Sequence, residues 1–411
     1  MQSGAPDSSR LTYLDGLRGW AAVVVLFSHL FPFFLLRANG PSADGLRHLL
    51  LNGAVLGRVE YAMATIGTVL YRFLTDGATA VYVFFVLSGY VLSVGYVKTK
   101  KRELVTDQAL RRYIRLTVPI SLACVIAFCL MKAGLMYNQR VDAAIGGDWI
   151  GQFYHWTPDF YSLIRFSLFD VYFNFNDNRS FIFTLWTMQI EFFGSFLIFS
   201  LLALFGHLER RWIPYGLAFI AVCLINRDLI SFMMGLFIAE LYQFEQVRLV
   251  LVRKTSKVAA SLMLTGVVAL PVFVFHYLPR SVFSDVATLA ASVIVVSTIM
   301  LRQMQMVFTS RLSIFLGKIS FSLYLVHPLV ICSLGAWYFV TMRSYLSLPA
   351  LIASCAVLIV VLSVLVAKAF VTVDSWGVRQ ARRFASMVRM TSTPRLRQDD
   401  AATGKPAVIS E

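Results

Sequence analysis

Long apolar stretches are the sequence feature that most constrains the fold of this chain. A helix needs about 20 apolar residues to cross the hydrocarbon core of a bilayer. Ten stretches of the sequence meet or approach that length: residues 17–36, 78–97, 116–136, 183–205, 212–226, 229–243, 258–278, 285–301, 314–340 and 348–371. The sequence therefore predicts an all-α membrane protein, a polytopic bundle of about ten transmembrane helices. Residues 212–243 leave two alternatives open, two short spans or one re-entrant hairpin.

The amino-acid composition favours membrane spans over a water-facing globule. Hydrophobic residues make up 58% of the chain and charged residues 14%, whereas soluble domains are about 25% charged. The first apolar stretch has no small-residue cleavage site after it, so it is predicted to remain a span. The five cysteines all lie in apolar stretches without metal-ligand spacing, so no metal is expected.

The distribution of basic residues predicts the orientation. The formal net charge is +15. With the N-terminus in the cytosol, 24 Lys and Arg residues fall on the inner side and 10 on the outer side. This positive-inside bias places both termini in the cytosol and requires no nucleic-acid partner. It also favours contact with anionic membrane lipid or an anionic cofactor. The predicted location is the inner (plasma) membrane.

The chain divides into three regions by composition. We assign residues 1–10 to a cytosolic N-terminal segment, 11–373 to the transmembrane domain and 374–411 to a basic cytosolic tail. The tail mixes Arg with apolar residues at helical spacing as far as about Ser392, which predicts an amphipathic helix on the anionic inner leaflet. Beyond that residue its polar composition predicts disorder.

Two predicted outer loops are long. Residues 37–77 are apolar but interrupted by charges, which indicates an interfacial or partly re-entrant helix. Residues 137–182 are rich in aromatic side chains: Trp149, Tyr154, Trp156, Tyr161 and Tyr172. Such rings are typical of headgroup depth, and they also stack on sugars.

Ionisable residues inside the predicted spans are candidates for chemistry, because a charge in the bilayer costs about 3 kcal/mol or more. Arg18 and His29 are eleven residues apart, so they share one helix face and lie about 16 Å apart along its axis. Arg18 is then at the cytosolic mouth and His29 beyond mid-membrane. Glu191 lies at a similar predicted depth to His29 on another span, so we expect it to pair with His29 and raise its basicity.

A cluster of cations is predicted at the inner membrane surface. Arg111, Arg112 and Arg115 have the spacing of neighbours on a helix face, and they adjoin the membrane near Arg18. Converging guanidinium groups suit phosphates. Lys318, at the inner end of the ninth span, is predicted to join this group.

Other polar residues have structural alternatives that the sequence leaves open. Asp76 fits a helix cap at the start of the second span. Ser88 stands beside Gly89, a pair typical of close helix packing. His327 fits a structural hydrogen bond at the break that Pro328 introduces.

Taken together, these segments resemble the acyltransferase-3 family of membrane O-acyltransferases. The family pattern of an Arg, ten residues and a His is matched by Arg18 and His29, after the lead-in LDGLRG. The FFxxSG(F/Y) motif is matched by Phe84, Phe85, Ser88, Gly89 and Tyr90. The R(R/K)xxRLxP element is matched, with one extra residue before the proline, by Arg111, Arg112, Arg115, Leu116 and Pro119.

Two further motifs extend the resemblance over about residues 11–372. The W(S/T)LxxE element is matched, with Met188 in place of Leu, by Trp186, Thr187 and Glu191. The SYxxYLxH(P) element is matched, with Phe321 where Tyr is common, by Ser320, Ser322, Tyr324, Leu325, His327 and Pro328. The resemblance implies transfer of an acyl group, mostly acetyl from acetyl-CoA, to a hydroxyl of a carbohydrate or glycolipid.

With that chemistry each candidate residue receives a predicted role. The catalytic residues are His29, Glu191 and Tyr324. His29 acts as general base or transient acyl carrier, and Tyr324 or Ser88 donates to the oxyanion. Acetyl-CoA, or another acyl-CoA, binds the cations Arg18, Arg111, Arg112, Arg115 and Lys318. The acceptor contacts Ser88, Trp186, His327 and Asp76.

Two other functions fit ionisable residues in the membrane. A transporter or flippase of a glycan precursor also uses buried His and Glu, in proton relays. It predicts transport without an acyl donor and no role for the cations at the mouth. A non-catalytic sensor or anchor predicts that His29 and Glu191 matter only for stability.

Overall fold

The computed structural model describes residues 12–35, 75–145, 150–245 and 280–392, together with residues 247, 258 and 260–262. All regular secondary structure in this part of the chain is helical. The α-helices of six or more residues are α1 (Thr12–Leu35), α2 (Gly77–Thr99), α3 (Arg102–Lys132), α4 (Asn138–Ile145), α5 (Phe160–Arg165), α6 (Trp186–Phe205), α7 (Trp212–Ile225), α8 (Ile230–Leu241), α9 (Arg280–Met300), α10 (Arg302–Phe308), α11 (Arg311–Val330), α12 (Ala336–Met342) and α13 (Leu348–Ser392).

The all-helical architecture of a membrane protein is confirmed. Six helical segments among the described residues are long and apolar enough to cross a bilayer. The count of ten spans and the cytosolic position of both termini stay predictions. Most of the seventh predicted span, 258–278, and most of the loop 37–77 lie outside the described residues.

Residues 212–243 form two short helices. A 3₁₀ turn, Arg227–Leu229, separates α7 from α8. The two helices have 14 and 12 residues, which gives lengths of about 21 and 18 Å. Each is shorter than the hydrocarbon core of about 30 Å, and the described helices are compatible with either of the predicted alternatives.

Helices α1 and α11 form a closely packed parallel pair at the centre of the bundle. At one end, a Cβ added to Gly19 would overlap with Leu316 and the backbone of Gly317. Further along both chains, the imidazole of His29 meets that of His327. The two helices run in the same direction, since residue numbers rise from the first contact to the second on both α1 and α11. Glycine permits this approach by removing the side chain from the interface.

Helix α2 packs as closely on α8. A Cβ added to Gly89 would overlap with the carbonyl oxygen of Phe232, and one added to Gly235 would overlap with the carbonyl oxygen of Val86. Two glycines on facing helices therefore bring the two backbones together. This contact holds the Ser88 side of α2 toward the centre of the bundle.

Gly89→Ala is expected to destabilise the protein by about 1–3 kcal/mol, because the added methyl group overlaps with the backbone of Phe232 in α8, which has no side-chain rotamer to change. Gly216→Ala is the matched control, since no heavy atom lies within 4 Å of its Cβ position. That change is expected to stabilise α7 by about 0.5–1 kcal/mol. Thermal unfolding in detergent measures both, and equal melting temperatures for the two variants would contradict this packing.

The aromatic outer loop re-enters the bundle. Helix α5 continues through a π-helical turn, Phe166–Asp170, to Phe173. Within it the Tyr172 hydroxyl lies 2.9 Å from Thr117 Oγ1, and its ring is 4.9 Å from that of Phe192. Tyr172 is therefore buried between α3 and α6, where it contacts Phe192, the residue after Glu191. Its predicted depth in the membrane stays a prediction. Trp149 lies outside the described residues.

Helix α13 is continuous across the predicted boundary at 373–374. It has 45 residues, a length of about 67 Å. Its last part packs on α3 through buried small residues, Gly377, Ala381 and Ala385, and Arg389 Nη2 lies 2.5 Å from Asp107 Oδ1. The described tail is thus helical, while its contact with the inner leaflet stays a prediction and most of the segment predicted to be disordered lies outside the described residues.

Candidate functional site

A cavity of about 280 Å³ lies between α1, α2, α3, α6, α11 and α13. Four cationic side chains from three different helices line it: Arg18, Arg112, Arg115 and Lys318. Three carboxylates also line it: Asp15, Glu191 and Asp374. The remaining wall is largely apolar and includes Phe84, Phe85 and Phe321. The structure therefore brings together four of the five predicted cofactor-binding residues.

The cations of the cavity differ in how far they are neutralised. Arg18 pairs with Asp15 at 3.1 Å, and Arg112 pairs with Glu191. Among the described residues, Arg115 and Lys318 have no carboxylate within 4 Å. In addition, Nε of Arg18 and Nε of Arg112 are buried N–H donors without an acceptor. Buried donors without partners are costly, so this cavity suits an anionic ligand with several acceptor oxygens.

Glu191 is not the partner of His29, so that predicted pairing is wrong. Its Oε1 accepts a hydrogen bond of 2.7 Å from Ser88 Oγ and binds Arg112. The physical reason is depth. Gly77 contacts Ser28, and Ser88 lies eleven residues further along α2, about 16 Å away along the axis. Glu191 shares the depth of Ser88 and therefore lies far from His29.

Arg111 is a second correction, because it does not line the cavity. Its guanidinium binds the Asp107 carboxylate one turn earlier on α3, and its Nε donates to the Asp107 carbonyl at 3.0 Å. The same carboxylate binds Arg389 of α13. The sequence spacing placed three arginines on one face, but Asp107 holds the first of them against α13. Arg112 and Arg115, three residues apart, keep the cavity face.

His29 meets His327 instead of Glu191. His29 Nδ1 lies 3.0 Å from His327 Nε2, and the two rings are nearly parallel, with centroids 5.2 Å apart. Phe183 contacts the His29 ring edge-on at 5.3 Å. The sequence contained a signal for this pair. His327 follows Lys318 by nine residues, much as His29 follows Arg18 by eleven, and the two spans have the same predicted direction.

Tyr324 separates the cavity from the two histidines. It lines the cavity, and its ring centroid is 6.1 Å from those of Phe84 and His327. Its hydroxyl donates to the Thr184 carbonyl at 2.6 Å and lies 2.6 Å from Thr187 Oγ1. The proton predicted to stabilise an oxyanion is thus held by a backbone carbonyl. The Ser88 proton is likewise held, by Glu191.

The cavity lining stops at Tyr324 and includes neither His29 nor His327. Arg18 and His29 share one face of α1, but the cavity at the cations is not continuous with His29 in this structure. The rings of Tyr324 and Phe84 lie at this end of the cavity.

Of the four residues predicted to contact the acceptor, Ser88 lines the cavity, whereas His327, Asp76 and Trp186 do not. Asp76 caps α2, since its Oδ1 accepts a hydrogen bond of 3.0 Å from the backbone N–H of Thr79, as in the structural alternative. Trp186 begins α6 with its side chain 39% exposed and does not line the cavity. Contact of any of the four with an acceptor stays a prediction.

Asp374 is a cavity residue that the sequence analysis missed. It lies on α13 and contributes a carboxylate near Arg115 and Arg18. A signal was present, because it is the only acidic residue between Leu348 and Ser392. Its position at the assumed start of the cytosolic tail concealed its role inside the bundle.

Comparison with known proteins settles the family. A family model described as an acyltransferase domain, that of acyltransferase-3, matches residues 11–368. The chain belongs to the acyltransferase-3 family. The chain is also similar to acyltransferase clz18 of Cochliobolus lunatus, with 28% identity over 148 residues. That match covers 31% of this chain and 31% of the relative. No solved structure matches significantly. Together with the long apolar helices among the described residues, the match to the family model makes the chain a membrane protein of that family.

Proposed function

We propose that this acyltransferase moves an acetyl group from cytosolic acetyl-CoA to a hydroxyl of a carbohydrate or glycolipid acceptor, at or across the inner membrane. The observation that carries the proposal is the set of unsatisfied cationic donors in the cavity. Arg115 and Lys318 lack a carboxylate within 4 Å among the described residues, and two guanidinium Nε atoms lack acceptors. Acyl-CoA is a donor whose phosphates match such a site.

The size and lining of the cavity support binding of one part of acyl-CoA. Its volume of about 280 Å³ is below the range of pockets that enclose a whole drug-sized ligand. The cations bind phosphate groups, and the phenylalanine-rich wall toward Tyr324 accompanies the less polar arm. The adenine end then remains toward the cytosol.

His29 supplies the base for the chemical step. It lies on the far side of Tyr324 from the cations, so the acyl group and the acceptor hydroxyl approach it from opposite directions. For the thioester to reach His29, the rings of Tyr324 and Phe84 have to move. Closure of this kind also keeps water from the thioester until both substrates are bound.

Transfer from labelled donor tests the proposed function. The protein in lipid nanodiscs is mixed with [¹⁴C]acetyl-CoA and envelope glycan from a strain that lacks the gene. We expect base-labile label on the glycan and release of free CoA thiol in equal amounts. Movement of a glycolipid across vesicle membranes without any acyl donor, and with no labelled product, would support the transporter instead.

Arg115→Gln is expected to raise the KM for acetyl-CoA by about tenfold or more, since a charge-assisted hydrogen bond contributes about 1.5–3 kcal/mol. Lys318→Gln is expected to act in the same direction. Arg111→Gln is the matched control: it removes the same charge four residues away from Arg115, but its guanidinium binds Asp107 outside the cavity. Steady-state kinetics measure all three. Equal effects of Arg111→Gln and Arg115→Gln would show that only general surface charge matters.

A further inference from the structure

The two histidines form a hydrogen-bond chain whose proton positions follow from chemistry. His327 Nδ1 lies 2.9 Å from the carbonyl oxygen of Leu323. A carbonyl oxygen only accepts hydrogen bonds, so His327 carries a hydrogen on Nδ1. A neutral imidazole has one N–H group, and its other nitrogen is an acceptor. His327 Nε2 is therefore an acceptor, directed at His29.

The tautomer of His29 follows from the same contact. Its Nδ1 lies 3.0 Å from His327 Nε2, so His29 must be the donor and carries its hydrogen on Nδ1. The carbonyl of Val25, one turn earlier on α1, is a further hydrogen-bond acceptor for this ring. In neutral His29 the lone pair is consequently on Nε2, the nitrogen that a general base uses.

The backbone of α11 fixes the tautomer of His327. Pro328 lacks an N–H, so the Tyr324 carbonyl loses its usual helical donor. The ring of His327 donates to the Leu323 carbonyl and lies close to that of Tyr324. His327 has no exposed surface, and an unsatisfied carbonyl in such a place is costly. Protonation of Nδ1 is therefore the arrangement that satisfies this part of the helix.

We propose that His327 is a positioning residue that fixes the tautomer and ring orientation of His29, so that Nε2 of His29 takes the proton of the acceptor hydroxyl. The proposal rests on the acyl transfer proposed above. As the hydroxyl oxygen forms its bond to the thioester carbonyl carbon, its proton moves to His29 Nε2. The C–S bond then breaks, and the departing thiolate takes that proton to give the free thiol.

His327 has a defined part in each stage of this step. It accepts the hydrogen bond from His29 Nδ1 before proton transfer, and it keeps that bond when His29 is a cation. Throughout the step, its own Nδ1–H group donates to the Leu323 carbonyl. The pair thus resembles the base and its orienting group in other proton-transfer sites, with a backbone-anchored imidazole in place of a carboxylate.

Substitutions at 327 separate positioning from a purely structural role. His327→Gln places an amide oxygen near the position of Nε2, so it keeps an acceptor for His29. His327→Asn is too short to reach that position, and His327→Phe removes the acceptor but keeps a ring. We expect His327→Gln to keep kcat within about tenfold of the parent, and the other two to lose about 100-fold. The KM for acetyl-CoA is expected to stay unchanged in all three.

A double-mutant cycle provides the second readout. If His327 acts through His29, adding His327→Phe to His29→Ala lowers the residual rate no further. Rates are divided by the amount of folded protein in nanodiscs, with acetyl-CoA and the glycan extract as substrates. Equal kcat for His327→Gln and His327→Asn overturns the proposal, as does an additive loss in the double variant. If His327→Phe fails to fold, the comparison of Gln with Asn still decides. Wild-type activity in His29→Ala would instead overturn the proposed function.

Discussion

His29→Ala is expected to lower the rate of acyl transfer by about 1,000-fold, because general-base catalysis contributes about 10²–10⁴-fold. The KM for acetyl-CoA is expected to change little, since Arg18 lies about 16 Å from His29 along α1 and His29 does not line the cavity. The measurement is labelled acetate on envelope glycan, together with thiol release by the protein in nanodiscs. In cells the same variant is expected to leave base-labile acetate absent from the surface glycans.

The control for this prediction is His155→Ala, which removes an exposed imidazole from the predicted outer loop. It is expected to keep full activity. The amount of each variant in the membrane and its melting temperature show whether loss of activity reflects loss of protein. Full acylation by folded His29→Ala would remove His29 from the mechanism. Complete loss of folded protein would instead favour the sensor or anchor reading, in which His29 serves stability.

Glu191→Ala is expected to destabilise the protein by about 3–5 kcal/mol. The substitution leaves the guanidinium of Arg112 buried with no counter-charge, and breaking a buried ion pair from one side has a cost of this size. The two side chains are 13% and 9% exposed, so water screens the pair only weakly. Ser88 Oγ also loses its acceptor. Unfolding of the protein in mixed micelles by increasing SDS measures the change.

The size of this effect depends on burial, which two controls test. Asp285→Ala breaks the ion pair between Asp285 and Arg227, whose side chains are 39% and 51% exposed. It is expected to lower the free energy of unfolding by at most about 1 kcal/mol. The double substitution Glu191→Leu with Arg112→Met removes both charges and is expected to recover most of the stability. It is not expected to recover donor binding, because Arg112 lines the cavity. No recovery in the double variant would contradict a charge-based cost.

Glu240→Ala separates stability from function. Glu240 is fully buried and binds Arg211 through both oxygens at 3.0 Å, but neither residue lines the cavity. Its loss is expected to destabilise the protein about as much as Glu191→Ala does. At temperatures where both variants are folded, only Glu191→Ala is expected to change the KM for acetyl-CoA.

Much of the candidate site was predictable from the positions of charges within apolar stretches. Lipid disfavours charge strongly enough that Arg18, Arg112, Glu191 and Lys318 had to face other protein groups. Four of the five predicted cofactor-binding residues accordingly share one cavity. The error at Arg111 has a local cause, because Asp107, one turn away, binds its guanidinium outside the cavity.

The pairing of His29 could not be predicted in the same way. Helical rise gives the depth of a residue only as well as the ends of its span are known. The 3₁₀ turn Phe183–Leu185 lies at the level of His29, and Glu191 follows it deeper in the bundle. Glu191 therefore lies about two helical turns from the level of His29. At that depth Glu191 pairs with Arg112, and His29 pairs with His327.

The sequence by itself determined that the chain is helical, that it belongs in a membrane and that Arg18, Arg112, Glu191 and Lys318 face other protein groups. Hydrophobic length and the cost of buried charge act locally, so they can be read along the chain. Only the tertiary structure decided which helices are neighbours. The contact between α1 and α11 depends on glycines that let two backbones approach, and the azimuth of each helix is set by packing with partners distant in sequence. That contact, and no property of either helix alone, brings His29 to His327.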